Sequence, residues 1–167
     1  MQKDTATSKT PSVEKLALAA QVARRVQIDS IQLVESATKQ SLKHGKLPEV
    51  IAVKVEVKAS RNRKTSQISV RAKCTLKGNY QASKQASLQI QATFCLLYSL
   101  ENLTGLSNDH IAAFGQLNGI YNVWPYWREF VQSTTCRMGL PSLTLPVFKV
   151  TKPSPASAAT AKKPRKA

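Results

Sequence analysis

The chain has 167 residues and a mass of 18.3 kDa, with 25 Lys and Arg against 9 Asp and Glu, a formal net charge of +16 and a pI near 10.1. The length suits one domain of ordinary size, and 42% hydrophobic residues suffice for a buried core. Apolar runs stop after a handful of residues, as at Val50 to Val53, where a membrane helix needs roughly 20; three widely spaced cysteines (Cys74, Cys95, Cys136) and two histidines likewise exclude a disulfide scaffold, a Cys-x-x-Cys knuckle and a His-rich metal site.

The charge is concentrated. Residues 39–84 carry twelve bases against Glu49 and Glu56, a net +10, and residues 151–167 carry five bases and no acid. Residues 13–38 and 91–150 are each neutral. A strongly basic block of this kind suits a nucleic acid, an anionic membrane or an acidic protein as partner.

In chain order, residues 1–12 are polar and read as a disordered lead. The apolar stretch Leu16 to Ala20 is too short, and too closely preceded by Glu14 and Lys15, for a signal-peptide core, so the chain reads as cytoplasmic. Leu16, Ala19, Ala20 and Ala23 recur at helical spacing over residues 13–25, with Ser12 as N-cap. Residues 26–35 fit either a strand with one bulge or a helix, and 36–49 read as a loop closed by Pro48. Three stretches then alternate with period two: Ile51 to Lys58, Ile68 to Lys77 and Leu88 to Leu97. Each predicts an antiparallel strand with one dry and one wet face, and the bases fall on the wet face and its turns.

After Leu103 the period becomes helical. Ser107 or Asn108 caps a helix whose apolar stripe is Ile111, Phe114, Leu117, Ile120 or Tyr121, and Trp124. Pro125 is expected to stop it and open a second helix running to about Met138, ended by Gly139 and Pro141. Leu143, Leu145 and Val147 make a short extended segment, and the tail from Thr151, rich in Ala, Ser, Pro and Lys, reads as disordered. Strands grouped before helices give an α+β fold: a four-stranded antiparallel sheet with helices packed on one face, spanning residues 13–150.

The residues offer no catalytic constellation. No Gly-rich phosphate loop or Gly-x-Ser-x-Gly is present, the acids are scattered, and His44 and His110 lack partners at a catalytic spacing. Cys74 reads as buried filler. The reading is a non-enzyme with no cofactor and no metal. Gly115 and Gly119, four apart, fit either a close helix–sheet contact or a contact between subunits. The best functional clue is aromatic: Tyr121, Trp124, Tyr126, Trp127 and Phe130 are five of ten aromatics, packed into ten residues. Helical geometry cannot turn all five into one core, so part of the cluster should line a groove or an interface.

Pro125-Tyr126-Trp127-Arg128-Glu129, followed by Arg137, Pro141, Leu143 and Leu145, resembles the Pro-Tyr-x-Arg-Glu and Arg-x3-Pro-x-Leu-x-Leu strings of SecB, the bacterial protein-export chaperone. The order of strands and helices agrees over roughly residues 26–150, and the N-terminal helix with Pro141-Ser142-Leu143-Thr144-Leu145 is most similar to the SecB-like chaperones that accompany toxin–antitoxin pairs. The resemblance implies a dimer of dimers that binds unfolded or non-native polypeptides in hydrophobic grooves without ATP, for export or to protect an antitoxin. It implies Tyr121, Trp124, Tyr126, Trp127 and Phe130 as the helix side of such a groove, Leu42, Leu47 and Val50 as its other wall, and Pro125, Arg128, Glu129, Arg137, Pro141, Leu143 and Leu145 as structural. SecB presents an acidic outer sheet face to the motor SecA, whereas that face here carries Lys54, Lys58, Arg71, Lys73 and Lys77. Like charge argues against SecA docking of the usual kind and for an acidic docking partner. The alternative reading is a nucleic-acid- or ribosome-associated protein acting through residues 39–84 and the tail; its support is charge alone, since Tyr80 is the one aromatic in that block.

Overall fold

The computed structural model describes residues 11–41, 46–79 and 87–148, so residues 1–10 of the expected N-terminal lead, the basic tail, Leu42 and His44 lie outside them. Helix α1 (Val13–Ala23) is followed by strands β1 (Val26–Gln40), β2 (Val50–Asn62), β3 (Gln67–Asn79) and β4 (Leu88–Leu100). Then come α2 (Asn108–Phe114), a π-helical segment (Gly115–Gly119) and α3 (Ile120–Arg137). The sheet is antiparallel throughout, in the order β1-β4-β3-β2. The α+β architecture read from the sequence is the observed one.

Local chemistry explains most of the element ends. The Ser12 hydroxyl caps α1 by accepting from the Lys15 N–H. Ser107 caps α2, and His110 closes the box, its Nδ1 accepting from the Ser107 N–H at 3.2 Å. That leaves the His110 Nε2–H to donate to Gln21 Oε1 at 3.2 Å, tying α2 to α1. Gly139, at φ +70°, turns the chain out of α3 while Leu140 N–H bonds back to the Thr135 carbonyl.

Three expectations are corrected. Residues 26–40 form one long strand, with register shifts between Ile28 and Ser30 and between Leu33 and Glu35, where the sequence read a loop from residue 36. Beyond Glu35 the strand has no apolar alternation because it is an exposed edge; backbone pairing from Ser36–Ala92 to Gln40–Leu88 holds it. Pro125 does not break the helix but lies inside α3, on a side where Tyr121 and Pro125 face solvent and water can satisfy the carbonyl that loses its donor. The expected stripe also shifts: Leu117, Ile120 and Trp124 are only partly covered, and the buried row is Ile111, Gly115, Gly119, Val123, Trp127, Val131 and Thr135. An i+4 row drifts around an ordinary α-helix, and the extra residue taken up by the π turn returns it to the sheet.

The two glycines are the seat of the helix. A Cβ on Gly115 would lie 2.6 Å from the Ala59 Cβ, and one on Gly119 would lie 2.7 Å from Val70 Cγ1. Their reading as a close helix–sheet contact is therefore the right one. Gly115 sits over β2 and Gly119 over β3, and at the far end Gln40 Nε2 donates to the Met138 carbonyl at 3.2 Å. The helix thus crosses the sheet diagonally, from β2 at one end to β1 at the other. Beneath it Ile68, Val70, Ala72, Cys74 and Leu76 of β3 and Leu88, Ile90, Ala92, Phe94, Leu96 and Tyr98 of β4 are buried. Tyr98 stacks edge-on with Phe114 at 5.0 Å and accepts from Asn122 at 3.0 Å.

Gly119→Ala should destabilise the fold. Helix propensity favours Ala by about 1 kcal/mol, but overpacking against Val70 costs about 1–3 kcal/mol, so the net sign is a loss. Denaturant unfolding of Gly119→Ala, of Val70→Ala and of the double variant checks it: the second change should recover part of the first loss, because it removes the clashing methyl groups.

Candidate functional site

Beyond α3 the chain turns back along it. Leu143 N–H donates to the Thr135 hydroxyl at 3.2 Å, Arg128 Nε donates to the Leu145 carbonyl at 2.7 Å, and Trp124 Nε1 donates to the Pro146 carbonyl at 2.8 Å. Phe148 packs on Trp124 at 5.5 Å between ring centroids. Leu140 and Leu145 are buried, while Pro141 and Val147 are exposed. This segment is a strap held by successive turns of the helix. The motif residues Arg128 and Leu145, 17 positions apart in sequence, meet here. The pairing is a hydrogen bond from a charged donor to a backbone carbonyl. Glu129 and Arg137 are exposed and form no ion pair among the described residues.

The aromatic cluster divides. Trp127 is fully buried and stacked on Phe130 at 6.1 Å, so it belongs to the core and not to a groove wall. Its Nε1 finds no acceptor among the described residues. Tyr121 and Tyr126, 60% and 49% exposed, project to solvent. Trp124 and Phe130 lie between, packed against the core on one side.

On the sheet, the diagonal path of the helix leaves β2 half uncovered. Its inward side chains Ile51, Val53, Val55, Val57 and Ala59 are all only partly buried, in contrast to the closed inner faces of β3 and β4. The Ala59 end lies under Gly115, while α3 packs on β4 and β3. Leu47 is half-buried, whereas Val50, 51% exposed, opens the strand on the outward side with Ala52 and Lys54, so it is no part of the inner wall expected of it. Pro48 anchors the entry by covering Gly78, whose Cβ would lie 2.6 Å from Pro48 Cγ. The apolar side chains of β2 beyond Val50 are the part that sequence reasoning missed. Their alternation looks the same as that of β3, and only the helix path tells the two apart.

The rest of the chemistry is quiet. His110 is occupied as a cap. No group of His, Cys, Asp or Glu suited to a metal occurs among the described residues. Burial pushes the Cys74 thiol up to about 12, and burial also raises the Tyr98 phenol against the opposing Asn122 hydrogen bond. No helix among the described residues is long and apolar enough to cross a membrane.

Comparison with solved structures finds the Mycobacterium tuberculosis SecB-like chaperone Rv1957, in complex with a ChAD peptide from the antitoxin HigA1. The TM-score is 0.71 at 23% identity, covering 83% of this chain and 100% of that one. A protein of unknown function from Streptococcus agalactiae matches loosely, with a TM-score of 0.39 and 12% identity over 72% of this chain and 96% of its own. No family model matches the chain, and no curated protein matches it. The resemblance read from the motifs is thus borne out at the level of the fold, which is SecB-like.

Two outcomes follow from this geometry. Arg128→Met leaves a carbonyl of the strap without its charged donor and should cost about 1–3 kcal/mol, read as a lower unfolding midpoint together with faster amide exchange over residues 140–148. Under native conditions alkylation should modify the exposed Cys136 promptly, while Cys74 should react only as fast as the whole domain unfolds.

Proposed function

We propose that this protein is an ATP-independent chaperone that holds non-native polypeptides on the half-covered inner face of β2 and the adjoining flank of α3. The observation that carries the reading is the uncovered apolar row Ile51, Val53 and Val55 on the inner face of β2. A continuous apolar surface of this kind has no use in a closed monomer core and binds apolar segments with little regard for sequence. A client segment lying there in an extended state could not pair its strand edges with other clients.

Two further supports come from outside the geometry. The motif resemblance to SecB-like proteins points to polypeptide clients, and the mycobacterial neighbour was solved with an antitoxin peptide bound. An antitoxin is accordingly the client class we favour over exported precursors. The basic outer face argues against SecA docking of the usual kind. For assembly we propose pairing of copies toward a dimer of dimers, which would add valency to weak contacts. The edge strand β1, with Ile28, Leu33 and Val34 exposed, is the natural seam.

The purified protein should suppress aggregation of an unfolded apolar client at stoichiometric ratios with no nucleotide present. Ile51→Asp and Val53→Asp should each weaken suppression by roughly threefold to tenfold, the equivalent of losing part of one apolar contact. Val13→Asp, a change at an exposed position on α1, should have no effect. Equal activity of all three variants, each confirmed folded by circular dichroism, would remove β2 from the site.

A further inference from the structure

The opposite face of the sheet has a different character. On β2 and β3 the outward residues include Lys54, Lys58, Arg71, Lys73 and Lys77, all exposed. The register sets Lys58 directly across from Arg71, and Lys73 follows Arg71 two places along the strand. Strands lie about 4.8 Å apart and alternate residues about 6.7 Å apart, so these charges sit within one Debye length and repel one another at physiological salt. Like charges directly opposite destabilise a sheet. The fold derives nothing from this arrangement, and a rule broken without local gain is the mark of a functional surface.

Glu56 sets the pattern further. It lies between Lys54 and Lys58 on β2, across from Lys73, and its carboxylate bonds Lys54 Nζ at 2.6 Å. The Lys54 hydrogen bond and charge, followed by Lys73 and Lys58, hold its carboxyl below the usual range. It is the one acid on the outward positions of β2, β3 and β4. The neighbouring outward residues of β4, Gln89 and Gln91, are uncharged, and together with Lys54, Glu56, Lys73 and Lys77 they line an open hollow of about 410 Å3. No aromatic side chain occupies the outward positions of these three strands, so bases would find no stacking platform.

We propose that the outer face of β2 and β3 docks an acidic segment of a partner protein, one whose carboxylates are interrupted by neutral residues. A phosphate chain presents charge at every unit and would meet Glu56 wherever it crossed the patch. An acidic peptide can place a neutral residue there and still reach the cations on either side, and its side chains have the hollow and the Gln amides to fill. The proposal stands apart from client holding, because the two faces are separated by the sheet itself.

The test uses the full-length chain and three labelled probes: a synthetic peptide of alternating glutamate and serine, a single-stranded oligothymidylate and a short DNA duplex. Fluorescence anisotropy at physiological salt should rank the peptide tightest. Lys58→Glu should weaken peptide binding by roughly tenfold, since a like charge then faces the probe, and should at the same time raise the unfolding midpoint, since the new carboxylate faces Arg71. Glu56→Gln should strengthen oligothymidylate binding more than peptide binding. Client aggregation should be suppressed as before in both variants. Tighter binding of either nucleic acid than of the peptide would overturn the proposal in favour of a nucleic-acid surface. So would peptide binding that Lys58→Glu leaves unchanged, or no peptide binding at all.

Discussion

The contact of Gly115 and Gly119 with Ala59 and Val70 is the constraint on which the rest depends. Side chains normally hold a helix some 10 Å from a sheet; here the backbone itself rests on β2 and β3 at one end of the helix. The π turn is part of the same device, because it takes up one extra residue at the point of closest approach. From that seat the helix swings across the sheet toward β1, closing the core over β3 and β4 and leaving most of β2 behind.

The strap answers the problem that this path creates. A helix lying diagonally on a four-stranded sheet buries one side and leaves the other bare. Residues 140–148 cover part of the bare side, with three hydrogen bonds to α3 and the buried Leu140 and Leu145. This gives the motif residues a physical meaning. Arg128 holds the Leu145 carbonyl, and Thr135 both donates to the helix behind it and accepts from the strap before it. What stays uncovered, on β2 and around Tyr121 and Tyr126, is what this packing leaves over.

The sheet divides labour between its faces. The inner face carries apolar side chains, closed on β3 and β4 and open on β2. The outer face carries Lys54, Lys58, Arg71, Lys73 and Lys77, with Glu56 as the lone acid among the outward positions of β2, β3 and β4. Because side chains alternate strictly along a strand, a chain that places Val53 and Val55 inward must place Lys54 and Glu56 outward. The net charge and the apolar surface are thus written in the same residues without interfering.

The sequence by itself determined the three alternating strands, the capping of α1, the exit from α3 at Gly139 and the placement of Lys54, Lys58, Arg71, Lys73 and Lys77 on one sheet face. Each of these follows from a period, a cap or a turn that a few adjacent residues express. It also carried the motif that linked Arg128 to Leu145 as a resemblance, though not the hydrogen bond that joins them. Only the tertiary structure decided the length of β1, which pairing with β4 imposes on a stretch with no apolar pattern. It likewise decided that Pro125 sits within one helix, that Trp127 is core while Tyr126 is surface, and that β2 is open where β3 is closed. These depend on the path of the helix over the sheet, and that path is fixed by two missing Cβ atoms at Gly115 and Gly119 meeting Ala59 and Val70, far back in the chain.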